Sequence, residues 1–101
     1  MTGDESEPIT QRLHRGNVWR DRETIVGVMQ VALGEQPPVA AISLTDRSQP
    51  EPSAQHVLLH VGDSAPVGHR RFILVDLQRG EQKPFVEFRL VPLEGRPAIP
   101  R

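Results

Sequence analysis

The stretch "TIVGVMQVAL", residues 24–33, decides between two folds. Ile25, Val28, Met29 and Ala32 recur at the spacing of one helix face. Asp21 stands where a helix cap would stand, and Gly34 with Pro37 beyond it would end the helix. Against this, Thr24, Ile25, Val26, Val28 and Val31 are β-branched, and Gly27 sits in the middle. Such residues lose side-chain freedom in a helix and suit a pleated surface, and a mid-helix glycine costs about 1 kcal/mol. The balance favours a strand. The alternative is an α+β domain, a four-stranded sheet with one helix over 22–33.

Working outward, the neighbouring segments read as strands too. "VAAISLT" (39–45) alternates, with Ala40, Ile42 and Leu44 on one face. "FVEFRLV" (85–91) places Val86, Phe88 and Leu90 inward and Glu87 and Arg89 outward. "RRFILVDLQ" (70–78) is apolar on both faces in its middle, as a central strand requires. "ITQRL" (9–13) and "VWR" (18–20) are short strand candidates. "DRSQPEPSAQ" (46–55) is the longest polar connection. The ten prolines and eight glycines fall mostly between these segments, which argues for many turns rather than long helices. The expected fold is all-β, a small sandwich or barrel of six to seven short, mainly antiparallel strands. One domain spans 9–93, preceded by a disordered acidic lead-in at 1–8 and followed by an extended Pro-rich tail at 94–101. The P-x-x-P spacing at 97–100 belongs to that tail.

Composition excludes several chemistries. A formal net charge of −1 gives no electrostatic case for nucleic acid or an anionic membrane. The absence of cysteine removes disulfides, thiolate metal sites and a cysteine nucleophile. No apolar run approaches the roughly 18 residues that span a bilayer. The first ten residues are too acidic and polar for a secretory signal, so the expected location is cytoplasmic. Eleven of the twelve basic residues are Arg, a bias expected of a high-GC, bacterial genome.

Two motifs in "HVLLHVGDSAPVGH" (56–69) invite chemistry. His56 and His60 have the H-x-x-x-H spacing that places two zinc ligands on one helix face. On a strand, four residues separate them by roughly 13 Å. A zinc ion holds each imidazole nitrogen at about 2.0–2.1 Å, so one ion does not reach both. The position after His56, where a zinc protease carries its glutamate base, is Val57. No metal site and no cofactor is expected. Gly62-Asp63-Ser64 resembles the opening block of the GDSL-type esterases and lipases, which implies Ser64 as a nucleophile. The resemblance covers these three residues. That family follows the serine with a helix and carries a C-terminal Asp-x-x-His. Here Pro66 and Gly68 oppose a helix, and no Asp-x-x-His follows. Gly-Asp-Ser is therefore expected to be a turn, with His56 and His60 facing away from the core residues Val57, Leu59 and Val61.

The unit "HVLLHVGDSAPVGHRRFILVDL" (56–77) joins two apolar strands through Val61-Gly62-Asp63 and Val67-Gly68. In this pattern the second half of the chain resembles small uncharacterised all-β proteins of high-GC actinobacteria, a resemblance that implies no activity. Basic residues gather at Arg12, His14, Arg15, Arg20 and Arg22, and again at His69, Arg70 and Arg71.

No catalytic constellation is complete, so the expected function is a non-catalytic binding or protein-interaction module. Its partner is another protein or a second copy, joined by edge-strand pairing that the clean alternation of 85–91 and the long 46–55 loop favour. The alternative is an anionic small-molecule binder, or a small biosynthetic enzyme, with a barrel mouth lined by His56, His60, His69, Arg70 and Arg71.

Overall fold

The computed structural model describes residues 8–93. Every regular element among them is a strand: β1 (Ile9–His14), β2 (Val18–Arg20), β3 (Thr24–Ala32), β4 (Val39–Asp46), β5 (Ala54–His60), β6 (Ser64–Val67), β7 (Arg70–Gln78) and β8 (Phe85–Pro92). They form two antiparallel four-stranded sheets. Sheet I has the order β1-β8-β7-β6 and sheet II the order β2-β3-β4-β5. All of the 1–8 lead-in except Pro8, and the tail at 94–101, lie outside the described residues.

The all-β expectation holds, and 24–33 is a strand rather than a helix. Its helix-like spacing has a physical origin. Thr24, Val26 and Val28 point into the core at every second position. The register with β4 then shifts between Val28 and Gln30, so Met29 has no partner and the next buried residue is Val31. A β-bulge thus converts a spacing of two into a spacing of three. β7 repeats the device: Arg70, Phe72 and Leu74 point inward, the register shifts between Leu74 and Asp76, and Leu77 packs on the core next.

One strand exceeds the expected six to seven. Ser64–Val67, which the sequence presents as part of a turn, is β6. Pro66 disguises it. Proline supplies no N–H and is confined to sheet edges, and β6 is an edge strand.

The sheets close on an aliphatic core with a small aromatic centre. Phe72 and Phe88 stack with their centroids 5.0 Å apart, and Trp19 meets Phe88 edge-on at 5.9 Å. Ile42, Leu44, Val26 and Val28 from sheet II face Leu74, Val86 and Leu90 from sheet I, all fully buried. Neighbours in sequence are neighbours in space except at two places, where the chain leaves one sheet for the other: β1 to β2 and β5 to β6. β8 then returns to pair with β1. The architecture is a sandwich built from an up-and-down meander.

One buried polar cluster ties the sheets together. Arg70, only 8% exposed, is the first residue of β7 and points into the interior. Its Nη1 donates at 3.0 Å to Asp21 Oδ2 and at 3.0 Å to Thr24 Oγ1, both at the β2–β3 turn. Asp21 Oδ1 accepts the backbone N–H groups of Glu23 and Thr24 at 2.9 Å, which closes that turn. Partial burial acts to raise the Asp21 carboxyl, but these two amides and the Arg70 guanidinium outweigh it and hold the group below its ordinary value.

Candidate interaction edge

The five residues proposed as a ligand mouth do not share one place. His56 and His60 lie on the outer face of β5, on the same side as each other and opposite Val57 and Leu59. His60 Nδ1 lies 2.9 Å from the Pro38 carbonyl of the β3–β4 loop. His69 occupies the β6–β7 turn, where its carbonyl accepts the Leu93 N–H. Arg71 is exposed on sheet I and donates to Ser64 Oγ at 3.1 Å. Arg70 is turned inward, engaged with Asp21 and Thr24. Among the described residues, no group of three or more His, Asp or Glu side chains is placed to hold a metal ion.

Gly62 and Asp63 form the turn expected of them, while Ser64 already belongs to β6. Gly62 has φ +97°, the left-handed region that favours glycine. The Asp63 N–H donates to the His60 carbonyl at 2.9 Å, and the His60 N–H donates to Asp63 Oδ2 at 3.0 Å. Val61, expected in the core, is 50% exposed because the chain has already begun to turn.

The edge strands are the informative feature. β8, whose clean alternation (85–91) suggested pairing with another chain, lies between β1 and β7 and has no free edge. The free edges belong to β1, β6, β2 and β5. β2 has three residues and β6 four. Pro66 lacks a donor on β6, and its carbonyl accepts Gln55 Nε2 from β5 at 2.8 Å. β1 carries Arg12, paired with Glu87 at 3.5 Å. Short length, proline and charge are the usual protections of an edge. β5 has none of them: it runs seven residues, "AQHVLLH", without Lys, Arg, Asp, Glu, Pro or a bulge.

Hydrogen-bond bookkeeping shows which groups β5 presents. In an antiparallel ladder, alternate residues turn their N–H and C=O to opposite sides. The N–H and C=O of His60 are both engaged with Asp63, away from β4. By alternation, Leu58 and His56 also turn away from β4, whereas Leu59 and Val57 bond to it. The far side of the sheet gives the same parity. Val28 exchanges bonds with Gly16 and Asn17, so its β4 partner Ile42 turns toward β5 and meets Val57. The middle of β5 therefore offers the donors and acceptors of His56 and Leu58 at the sheet edge.

On the outer face of this edge, Leu58 stands between His56 and His60. Leu58 is 73% exposed, the most exposed large hydrophobic residue among those described. Val18 and Met29, about half exposed, lie on the same sheet. A groove of about 380 Å³ runs between Val18, Met29, Ser43 and His56 and is floored by Gly27, whose missing side chain makes the depression. The sequence marks Leu58 as an outward position of a strand but not as an edge residue, because strand order is not written in local periodicity.

Comparison of the chain with family models, with curated proteins and with solved structures returns no match. Among the described residues, no helix is long and apolar enough to cross a membrane.

Proposed function

We propose that this domain is a non-catalytic protein-interaction module that takes an extended, uncharged strand of another chain onto β5. The observation that carries this reading is the unprotected seven-residue edge, with the backbone groups of His56 and Leu58 turned outward and Leu58 73% exposed beside them. In strand addition, main-chain hydrogen bonds supply affinity and alternate side chains supply selectivity. Here the selective contact is apolar, because Leu58 and the groove beside His56 receive every second residue of the incoming strand. The partner strand is expected to carry aliphatic residues at that period and no charge opposite Leu58, where desolvating a charge would cost more than the pairing returns.

A random octapeptide display library selected against the whole chain tests this. Recovered peptides should be aliphatic at alternate positions and should perturb the amide resonances of His56 and Leu58. Leu58→Pro removes one edge donor without touching the β4–β5 ladder, and should abolish binding while the circular dichroism of the fold persists. Failure to recover binders, or binders that leave the β5 amides unperturbed, would overturn the proposal.

A further inference from the structure

We infer that the sandwich carries a binding site for a neutral saccharide at the end remote from Arg70, between the β1–β2 turn and the β7–β8 loop. No β5 residue lines it, so it goes beyond the strand-addition reading.

A cavity of about 480 Å³ opens at this end. Small-molecule sites span about 300–1,000 Å³. His14 and Asn17 line it from the turn, Glu81, Gln82 and Lys83 from the loop, and Phe85 from the first position of β8. Backbone bonds fix the turn. The Gly16 N–H donates to the Val28 carbonyl at 2.8 Å, and the Val28 N–H donates to the Asn17 carbonyl at 3.2 Å. The Arg15 N–H donates to the Pro84 carbonyl at 3.0 Å, which joins the two walls. In the loop, Gly80 approaches Lys83 so closely that an added Cβ would collide with its carbonyl oxygen. Phe85 is held from two sides. His14 meets it edge-on with centroids 5.5 Å apart, and the Arg12 guanidinium lies 5.6 Å from the ring centre. The walls are set before a ligand arrives, which lowers the cost of ordering them.

Five polar side chains converge on this cavity, and none is engaged. Among the described residues, those of His14, Asn17, Glu81, Gln82 and Lys83 make no hydrogen bond and no ion pair. The other end of the sandwich differs. There Asp21, Asp46, Arg47, Ser48, Gln49 and Arg70 are bonded to one another or to nearby backbone. Polar groups at that end hold the fold, whereas those at the cavity stay available to a ligand.

The kinds of group select the ligand class. Asn17 and Gln82 each offer donors and an acceptor, Lys83 only donates, and ionised Glu81 only accepts. A ligand that satisfies them carries donors and acceptors side by side, as the hydroxyls of a sugar ring do. Lys83 and Glu81 have opposite charges, and Arg12, beside Phe85, is already paired with Glu87. Formally the lining has no net charge, with histidine counted neutral. A phosphate or carboxylate would bring its charge against Glu81, and an apolar ligand would cover five polar groups without pairing them. A sugar ring avoids both costs. Its C–H groups pack on Phe85 while its hydroxyls replace the water on the polar side chains.

Amide resonances of the whole chain test this. Cellobiose, maltose, lactose and chitobiose are each titrated to about 50 mM, with glucose 6-phosphate as the anionic probe. The cavity is open to water, so a Kd of about 0.1–10 mM is expected for at least one neutral disaccharide. Its saturable shifts should centre on Asn17, Lys83 and Phe85. Asn17→Ala and Glu81→Ala should each weaken binding about tenfold, one lost hydrogen bond apiece, with the unfolding midpoint unchanged. No saturable shift with any of the neutral disaccharides would overturn the inference. So would preferential binding of glucose 6-phosphate, or shifts that survive both substitutions.

Discussion

Arg70→Met tests what holds the two sheets together. Methionine keeps most of the apolar stem but removes the guanidinium. Two hydrogen bonds are lost, to Asp21 Oδ2 and Thr24 Oγ1, each at 3.0 Å. A hydrogen bond to a charged group contributes about 1.5–3 kcal/mol. The Asp21 side chain is 28% exposed, so water recovers part of its solvation and the low end applies. Thr24 is 1% exposed, and an unpaired buried hydroxyl costs at least about 1 kcal/mol. Glu23, 3.7 Å from Arg70 Nε, is too exposed to add weight. The expected loss is about 2.5–3 kcal/mol, which for a domain of this size lowers Tm by roughly 10–20 °C. Urea denaturation followed by Trp19 fluorescence and far-ultraviolet circular dichroism reads it. Thr24→Val in both backgrounds completes a double-mutant cycle, with a coupling of about 1 kcal/mol expected. A loss below about 0.5 kcal/mol, or additivity within about 0.3–0.5 kcal/mol, would show that Arg70 is a spectator.

Asp21 adds a pH signature: a carboxylate held below its ordinary value stabilises the fold above that value and loses the contribution as pH falls through the folded-state value. The stability gap between the wild type and Asp21→Asn, followed by urea denaturation, should be constant from about pH 7 to pH 5 and should narrow below about pH 4. At Gly80, φ +70°, an added Cβ would collide with the Lys83 carbonyl oxygen, whereas at Gly62 it meets nothing within 4 Å. Gly80→Ala should therefore lower Tm clearly more than Gly62→Ala, whose cost is limited to the left-handed backbone, about 1–2 kcal/mol. Phe88→Ala removes the ring that stacks on Phe72 and meets Trp19, and should cost about 3–5 kcal/mol by chemical denaturation. Calorimetric titration with zinc should give no stoichiometric heat, since His56 and His60 sit four positions apart on a strand.

Local periodicity carried most of the fold. Inward residues of β4 and β8 follow a strict period of two, and their assignment from sequence matches their burial. It stumbled where the period itself changes. Met29 and Val75 are bulge residues, and one inserted position makes a strand resemble a helix. It also stumbled at β6, where proline mimics a turn because the strand is an edge. Features that depend on strand order were out of reach. Nothing in "FVEFRLV" reveals that β8 is interior, and nothing in "AQHVLLH" reveals that β5 is not. Arg70 belongs with these: beside His69 and Arg71 it reads as part of a basic patch, and only the arrival of Asp21 and Thr24 from 46 or more positions away turns it inward.

The pairing of β8 with β1 carries a consequence for how the chain is made. Ile9 faces Leu90, and Leu13 faces Val86, so among the described strands the first to be synthesised binds the last. Sheet II can assemble from consecutive hairpins while synthesis continues. β1 must wait for some seventy further residues with its apolar positions uncovered, and loop closure over that span makes the step slow. Joining residues 8 and 93 by a short linker and opening the chain at the β5–β6 connection, within 61–63, would place every hydrogen-bonded pair of strands next to each other in sequence, and such a permuted chain should fold faster than the original.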